Sequence, residues 1–245
     1  MIFLASLLAL RVCADPNNMP FSNRALDGFE NKIAAVLADE LHEKVAYTWW
    51  AQRRGFLRHT VRAGLCDVVI GITPDAGPIA TTAPYYRSTY VFVTRGTPIT
   101  SFDDPRLRSL RVGIHVIGAD YNGLPPAVAL AKRHIIRNVV GYSIYGNYSD
   151  ESPPSKLITA VAKDDVDVAI AWGPLAGYYA RHASTPLVVT PVTTADALPG
   201  IPFVYDIAVG VNKDSTALRQ RLDRALVARK ADIQRILKRY GVPCV

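Results

Sequence analysis

Along the first half of the chain, short apolar runs rich in β-branched residues alternate with longer stretches whose apolar positions recur every three or four residues. Residues 10–14 (LRVCA), 45–49 (VAYTW) and 67–71 (DVVIG) read as strands. The third has no polar position after its aspartate, the pattern of a strand buried on both faces. Between the first two, Phe29, Ile33, Val36, Leu37 and Leu41 fall on one helical face, and Asp27-Gly28-Phe29-Glu30 has capping-box spacing. A second helix is predicted over 53–63, stopped at Gly64. A loop rich in Thr, Pro and Gly follows Gly71, then Pro84-Tyr85-Tyr86 and a strand over 89–94. Strand, open loop at its carboxyl end, then a long strand leading away is the layout of a ligand loop feeding a hinge.

The pattern then restarts. Strands are predicted over 110–114, 139–144, 166–171 and 187–192, alternating with helices over 125–136, 155–163 and 175–182. Such alternation implies parallel sheets with right-handed crossovers. Residues 204–212 form a long alternating strand able to cross back, and two helices follow before Gly241-Val242-Pro243 stops them. The expected fold is therefore α/β with two lobes. Residues 10–93 and 204–245 make the first lobe, 94–203 the second, and the chain crosses twice between them, which suits a hinge.

At 245 residues the chain has length enough for two domains. Its net charge of +7 implies an acidic partner, since such a field steers association. Nucleic acid is not expected: there is no basic block, no RNP-like aromatic pattern and no zinc-finger spacing. Residues 1–9 (MIFLASLLA) are too short to span a bilayer and read as the remnant of a secretory signal, or else as an extension of the first strand. Export would permit a disulfide among Cys13, Cys66 and Cys244. With Cys13 and Cys66 on neighbouring parallel strands, a stagger of about three residues would hold them ~10 Å apart, beyond disulfide reach. Cys66 with Cys244 is the other option, and the pairing stays open.

Catalytic patterns are absent: no Gly-x-Ser-x-Gly, no His-Glu-x-x-His, no phosphate-binding glycine loop. The five histidines share no metal spacing, so neither metal nor cofactor is expected. An acid-base role for Asp75 or Asp120 is conceivable on such a fold, but the expectation is a protein without catalysis.

Gly28-Phe29-Glu30, Cys66 to Ile70, Pro84-Tyr85-Tyr86, Arg111 to Ile114 and Asp165 to Ala169 together resemble the type II periplasmic solute-binding proteins that bind polar amino acids. Within that class, Leu10 to Asn18, Tyr47 to Trp50 with Gln52 to Phe56, and Tyr85 to Phe92 are similar to the MxaJ/XoxJ family, the accessory proteins encoded beside PQQ-dependent methanol dehydrogenases. The resemblance implies a periplasmic location and a role in assisting or maturing a calcium- or lanthanide-type dehydrogenase. It also sets a test for amino-acid binding. The arginine that would clamp a ligand carboxylate has no counterpart between Thr73 and Ile79, and Arg87 is the next arginine. Asp120 stands where an anion would rest, and Trp172-Gly173 stands where an ammonium would meet an aspartate. An amino-acid ligand would lose its charge partners.

The cleft that the resemblance implies would be lined by Asn18, Phe21, Trp50, Asp75, Tyr85, Arg87, Asp120, Tyr121 and Trp172, largely aromatic and neutral. The basic face of the second helix, Arg53, Arg54, Arg58 and Arg62, is a candidate docking patch. So are the helices over 219–239, which hold eight of the 28 basic residues. The alternative expectation is a transport component delivering a small neutral or aromatic solute to a permease.

Overall fold

Most of the β-branched runs become strands, and most of the amphipathic stretches helices laid against them, in a computed structural model that describes residues 9–74, 76–117, 124–144, 152–193, 196 and 198–245. In chain order the elements are β1 (Ala9–Ala14), β2 (Asn17–Asn18), β3 (Ser22–Asn23), α1 (Phe29–Glu40), β4 (Lys44–Trp49), α2 (Phe56–His59), β5 (Val68–Ile72), β6 (Ala80–Thr81) and β7 (Tyr86–Thr94). There follow β8 (Val112–Val116), α3 (Pro125–Lys132), β9 (Val139–Ser143), α4 (Lys156–Ala162), β10 (Val168–Trp172), α5 (Gly173–Arg181) and β11 (Val188–Pro191). β12 (Val204–Val211), α6 (Thr216–Ala228) and α7 (Lys230–Arg239) close the chain. No helix among the described residues is long and apolar enough to cross a membrane.

The elements divide into two units. Unit 1 runs to Tyr86 and resumes over Asp206–Arg239; unit 2 comprises Arg87–Tyr205 and Tyr240–Val245. The tail past α7 thus belongs to unit 2 rather than to the first lobe, a third passage of the chain where two were expected. Gly173 and Gly177 allow that passage, since a Cβ on the first would meet Pro243 at 2.5 Å and on the second the Gly241 carbonyl oxygen at 2.0 Å.

In unit 1, β4, β1 and β5 run parallel, and β12 lies antiparallel on β5. Leu10, Val12, Val68 and Ile70 are buried because helices cover the sheet, and Phe29, Ile33 and Leu37 of α1 are fully sequestered. In unit 2, β10, β8 and β9 run parallel, while β7 pairs antiparallel with both β10 and β11. Its core gathers Phe92, Phe102, Ile114, Leu130, Ile170 and Phe203. Buried Asp196 organises a loop there, accepting from the Ser101 hydroxyl at 2.7 Å and the Phe102 N–H at 2.8 Å.

Three local expectations are corrected. First, Cys13 and Cys66 form a disulfide, with Cα atoms 5.5 Å apart. The strand-stagger argument fails because Cys66 precedes β5 and does not continue its line. The chain crosses over β1 there: the Thr48 hydroxyl of β4 donates to the Leu65 carbonyl at 2.9 Å, and Thr48 is the register partner of Cys13. Second, the cap of α1 is Gly28 and not Asp27, although the helix itself begins at Phe29. Asn31, not Glu30, reaches back to the Gly28 N–H at 3.2 Å. The Glu30 carboxyl instead lies over Gly71, where a Cβ would come within 1.9 Å of it, and Gly71 has φ +77°. Third, the helix expected over 53–63 breaks. Gly55 at φ 89° opens the one-turn α2, and the Thr60 hydroxyl bonds back to the Phe56 carbonyl at 2.6 Å, after which a 3₁₀ turn spans Val61–Ala63.

Candidate functional site

The carboxyl ends of the parallel strands in unit 1 are followed by loops that buried Asp15 ties together. Its two oxygens accept from the Asn17 N–H at 2.8 Å and the Gln52 N–H at 2.7 Å, joining the loop after β1 to the loop after β4. The Asn18 amide then donates to the Gln52 side-chain oxygen at 3.1 Å. Trp50, 42% exposed, stacks on the His59 ring at 5.8 Å with 19° between planes. The Arg58 guanidinium approaches His59 Nε2 at 3.0 Å; because arginine only donates, that nitrogen is the acceptor. Trp50 and the basic face, expected as separate features, are therefore parts of one rim.

Behind the rim lies a hollow of about 460 Å³. Its lining mixes Arg53, Arg58 and Arg62 with apolar Phe56, Leu57 and Ile72. Arg54 is exposed on the same segment and does not line it. Phe56 and Ile72 belong to the small core that also holds Cys13 and Cys66, so the disulfide fixes the floor.

Phe21 and Tyr85 do not share that rim. Phe21 packs on Phe29 at 5.3 Å, Phe29 meets Tyr86 edge-on at 6.4 Å, and Tyr86 lies 5.0 Å from Tyr85. This is core packing. The Tyr85 hydroxyl is buried without a hydrogen-bond partner among the described residues, and burial, with the Tyr86 and Glu30 charges adding, pushes the phenol well up. Desolvation likewise lifts the Glu30 carboxyl well above the ordinary range.

In unit 2, Trp172 ends β10 and meets Tyr90 at 5.5 Å and Tyr205 at 5.7 Å, both edge-on. Tyr90 also contacts Phe203 at 6.0 Å and Tyr205 at 6.4 Å. The three half-buried rings make an aromatic wall, and burial raises the Tyr90 and Tyr205 phenols. Arg87 is exposed, and its carbonyl accepts from the Val245 N–H at 3.1 Å, so it sits against the tail. Asp75, Asp120 and Tyr121 lie outside the described residues.

Sequence reasoning missed Gln52, Tyr90 and Tyr205. Gln52 was visible in the Gln52-Arg53-Arg54-Gly55-Phe56 segment, whereas nothing in the pattern announced the ring contacts. The C-terminal arginines are a correction of another kind, because several are neutralised within the fold. Arg221 pairs with Glu43 at 2.7 Å, Arg229 with Asp39 at 2.7 Å and Asp232 at 2.6 Å, and Arg235 with Asp232. Among the described residues no group of three His, Cys, Asp or Glu side chains could hold a metal ion.

The chain is 35% identical to the protein MoxJ of Methylorubrum extorquens, over 96% of this chain and 81% of that one. Its fold superposes on the crystal structure of the periplasmic binding protein XoxJ from Methylobacterium extorquens AM1 with a TM-score of 0.79, at 36% identity, covering 96% of this chain and 99% of that one. It superposes on MxaJ from Methlophaga aminisulfidivorans MPT with a TM-score of 0.81, at 25% identity, covering 96% and 100%. The two-unit α/β architecture is thus that of a type II periplasmic binding protein. Residues 10–243 match the bacterial extracellular solute-binding proteins, family 3, and the chain belongs to that family.

Proposed function

We propose that this chain is a non-catalytic periplasmic accessory protein that binds a PQQ-dependent methanol dehydrogenase, or its precursor, and aids its maturation. The observation that carries the reading is Trp172: where an amino-acid binder of this family would present an aspartate after the strand, an indole packed on Tyr90 and Tyr205 stands instead. With no arginine in the loop after β5, both charges of a free amino acid would be desolvated unpaired. The similarity to MoxJ, XoxJ and MxaJ supports a protein partner in place of such a solute. The basic rim at Arg53, Arg54, Arg58 and Arg62 is the face proposed to meet it, through an acidic surface.

The test is association kinetics with purified calcium-type and lanthanide-type dehydrogenases at low and physiological salt. Binding that slows as salt rises is expected, because exposed charges are screened over ~8 Å at physiological ionic strength. None of the twenty amino acids should raise the melting temperature. A ligand at about 100-fold its dissociation constant would add ~2.7 kcal/mol of stability, so a shift of several degrees with any of them would overturn the reading. A second reading, delivery of a small aromatic or neutral solute to a permease, is favoured by the wall of Trp172, Tyr90 and Tyr205. Screening neutral aromatic solutes by the same thermal shift separates the two.

A further inference from the structure

The hollow beside α2 has a fixed floor and a charged opening. Phe56 and Ile72 are 6% and 7% exposed, and the Cys13–Cys66 disulfide holds the core beneath them. Around this floor Arg53, Arg58 and Arg62 are all exposed. The head of Arg58 is positioned as well as present, since His59 Nε2 accepts from it and Trp50 braces the imidazole. A small-molecule site encloses roughly 70–90% of its ligand, whereas the three arginines that ring this basin stand exposed. A side chain projecting from a larger surface needs no such enclosure, because the surrounding contact excludes the water. Guanidinium forks select carboxylates by geometry as well as charge, and the Leu57 and Ile72 side chains offer apolar contact to whatever flanks the carboxylate.

We propose that this basin is the receptor for a carboxylate of the protein partner: an aspartate or glutamate side chain carried beside an apolar residue on a segment projecting from the dehydrogenase. The inference rests on the docking reading and adds a specific seat to it. A preformed floor lowers the ordering cost of binding, so the contact concentrates in this pocket and is not spread over the basic face. Arg54 supplies the internal control, having the same charge on the same segment but lying outside the lining.

Two arms test it on the full chain. In the first, Arg54→Glu, Arg58→Glu and Arg62→Glu are compared for affinity toward the dehydrogenase. The basin predicts that the second and third weaken binding at least about tenfold more than the first, as expected for a desolvated charge pair against a rim charge. Equal losses overturn the basin and leave docking by general electrostatics standing. In the second arm the probe is the peptide acetyl-Glu-Leu-Glu-Phe-Gly-amide, followed by amide chemical shifts. Shifts at Phe56, Leu57 and Ile72, absent with the matching glutamine peptide and lost in the Arg58→Gln/Arg62→Gln variant, support the seat. No shifts there overturn it, as does saturation of the same amides by free citrate at equal or lower concentration, which would make the basin a small-anion site. A dehydrogenase that fails to bind the unaltered chain removes the docking reading, and the peptide arm then decides the basin by itself.

Discussion

The rim of unit 1 and the wall of unit 2 stand at matching places in their own sheets, at the carboxyl ends of parallel strands, and are built on opposite principles. Trp50 follows β4 and is 42% exposed, with the His59 ring stacked on it and Arg58 against that ring. Trp172 ends β10 and is locked edge-on against Tyr90 of β7 and Tyr205 of β12. The rim carries its chemistry on a one-turn helix and loops; the wall carries it on the strands that also make the core. A surface of the first kind can be recharged without touching stability, whereas the second cannot change without disturbing what holds its unit together. The largest expected difference between them lies in the disulfide. Replacing Cys13 and Cys66 by serine frees a loop of sequence separation 53, for which chain entropy alone gives a loss of roughly 4 kcal/mol. Hydrogen exchange should quicken in β1, β5 and the segment around α2, while β8 and β10 keep their protection. Uniform acceleration across both units would erase the contrast.

That disulfide also marks where the sequence stopped being readable. The apolar runs gave the strands of both units because their signal is local: Val68 to Ile70 admits little but a buried strand. The position of Trp172 was legible too, since it follows directly from where β10 ends. The rim was not. It depends on Gly55 turning at positive φ, on Thr60 breaking the helix with its own hydroxyl, and on Leu65 crossing over β1, all of which are backbone events without a periodicity. Tyr205 was hidden for a different reason. Alternation along β12 assigns it a face, but its contact with Trp172 joins residues 33 positions apart, and tertiary packing alone decides that.

A second contrast is in the response to acid. His115 of unit 2 is buried, faces the Pro154 carbonyl at 3.0 Å, and is pushed from 6.5 to about 4 by desolvation. Its neutral form is the folded form, so the stability it contributes is complete above 6.5 and is lost as pH falls towards 4. The unfolded chain binds the extra proton throughout that window, at a cost of roughly 3 kcal/mol. Glu30 of unit 1 has the opposite sign: its raised carboxyl takes up a proton more readily folded than unfolded, so its contribution is present at low pH and lost as pH rises through its folded value. Urea titrations from pH 7 to 4 should show the unaltered protein losing stability that His115→Gln retains, with the excess exchange confined to unit 2. Parallel pH curves for the two proteins would remove His115 as the cause.

Tyr205→Leu probes the wall itself. It keeps an apolar side chain but deletes edge contacts at 5.7 Å and 6.4 Å. Aromatic pairs of this geometry contribute about 0.5–1.5 kcal/mol each beyond their buried area, so a loss of ~1–2 kcal/mol is expected in chemical denaturation. A neutral result would mean that the three rings are neighbours without being a structural unit.

The smallest effect belongs to the rim, and its smallness is the point. Arg58 is exposed; among the described residues its side chain meets the neighbouring His59 and forms no ion pair. Arg58→Gln removes the charge while an amide can still donate to His59 Nε2, so the stack on Trp50 should persist. Surface changes of this kind fall within about 0.5 kcal/mol, and melting temperature should move by no more than a few degrees in either direction. Arg221 is the instructive opposite, because its partner Glu43 has a side chain only 8% exposed, and removing the cation would strand that carboxylate. The two arginines look alike in sequence, yet one is structural and the other is available for a partner. If Arg58→Gln proved as destabilising as Arg221→Gln, the rim would be part of the scaffold, and its chemistry could not have been set independently of the fold.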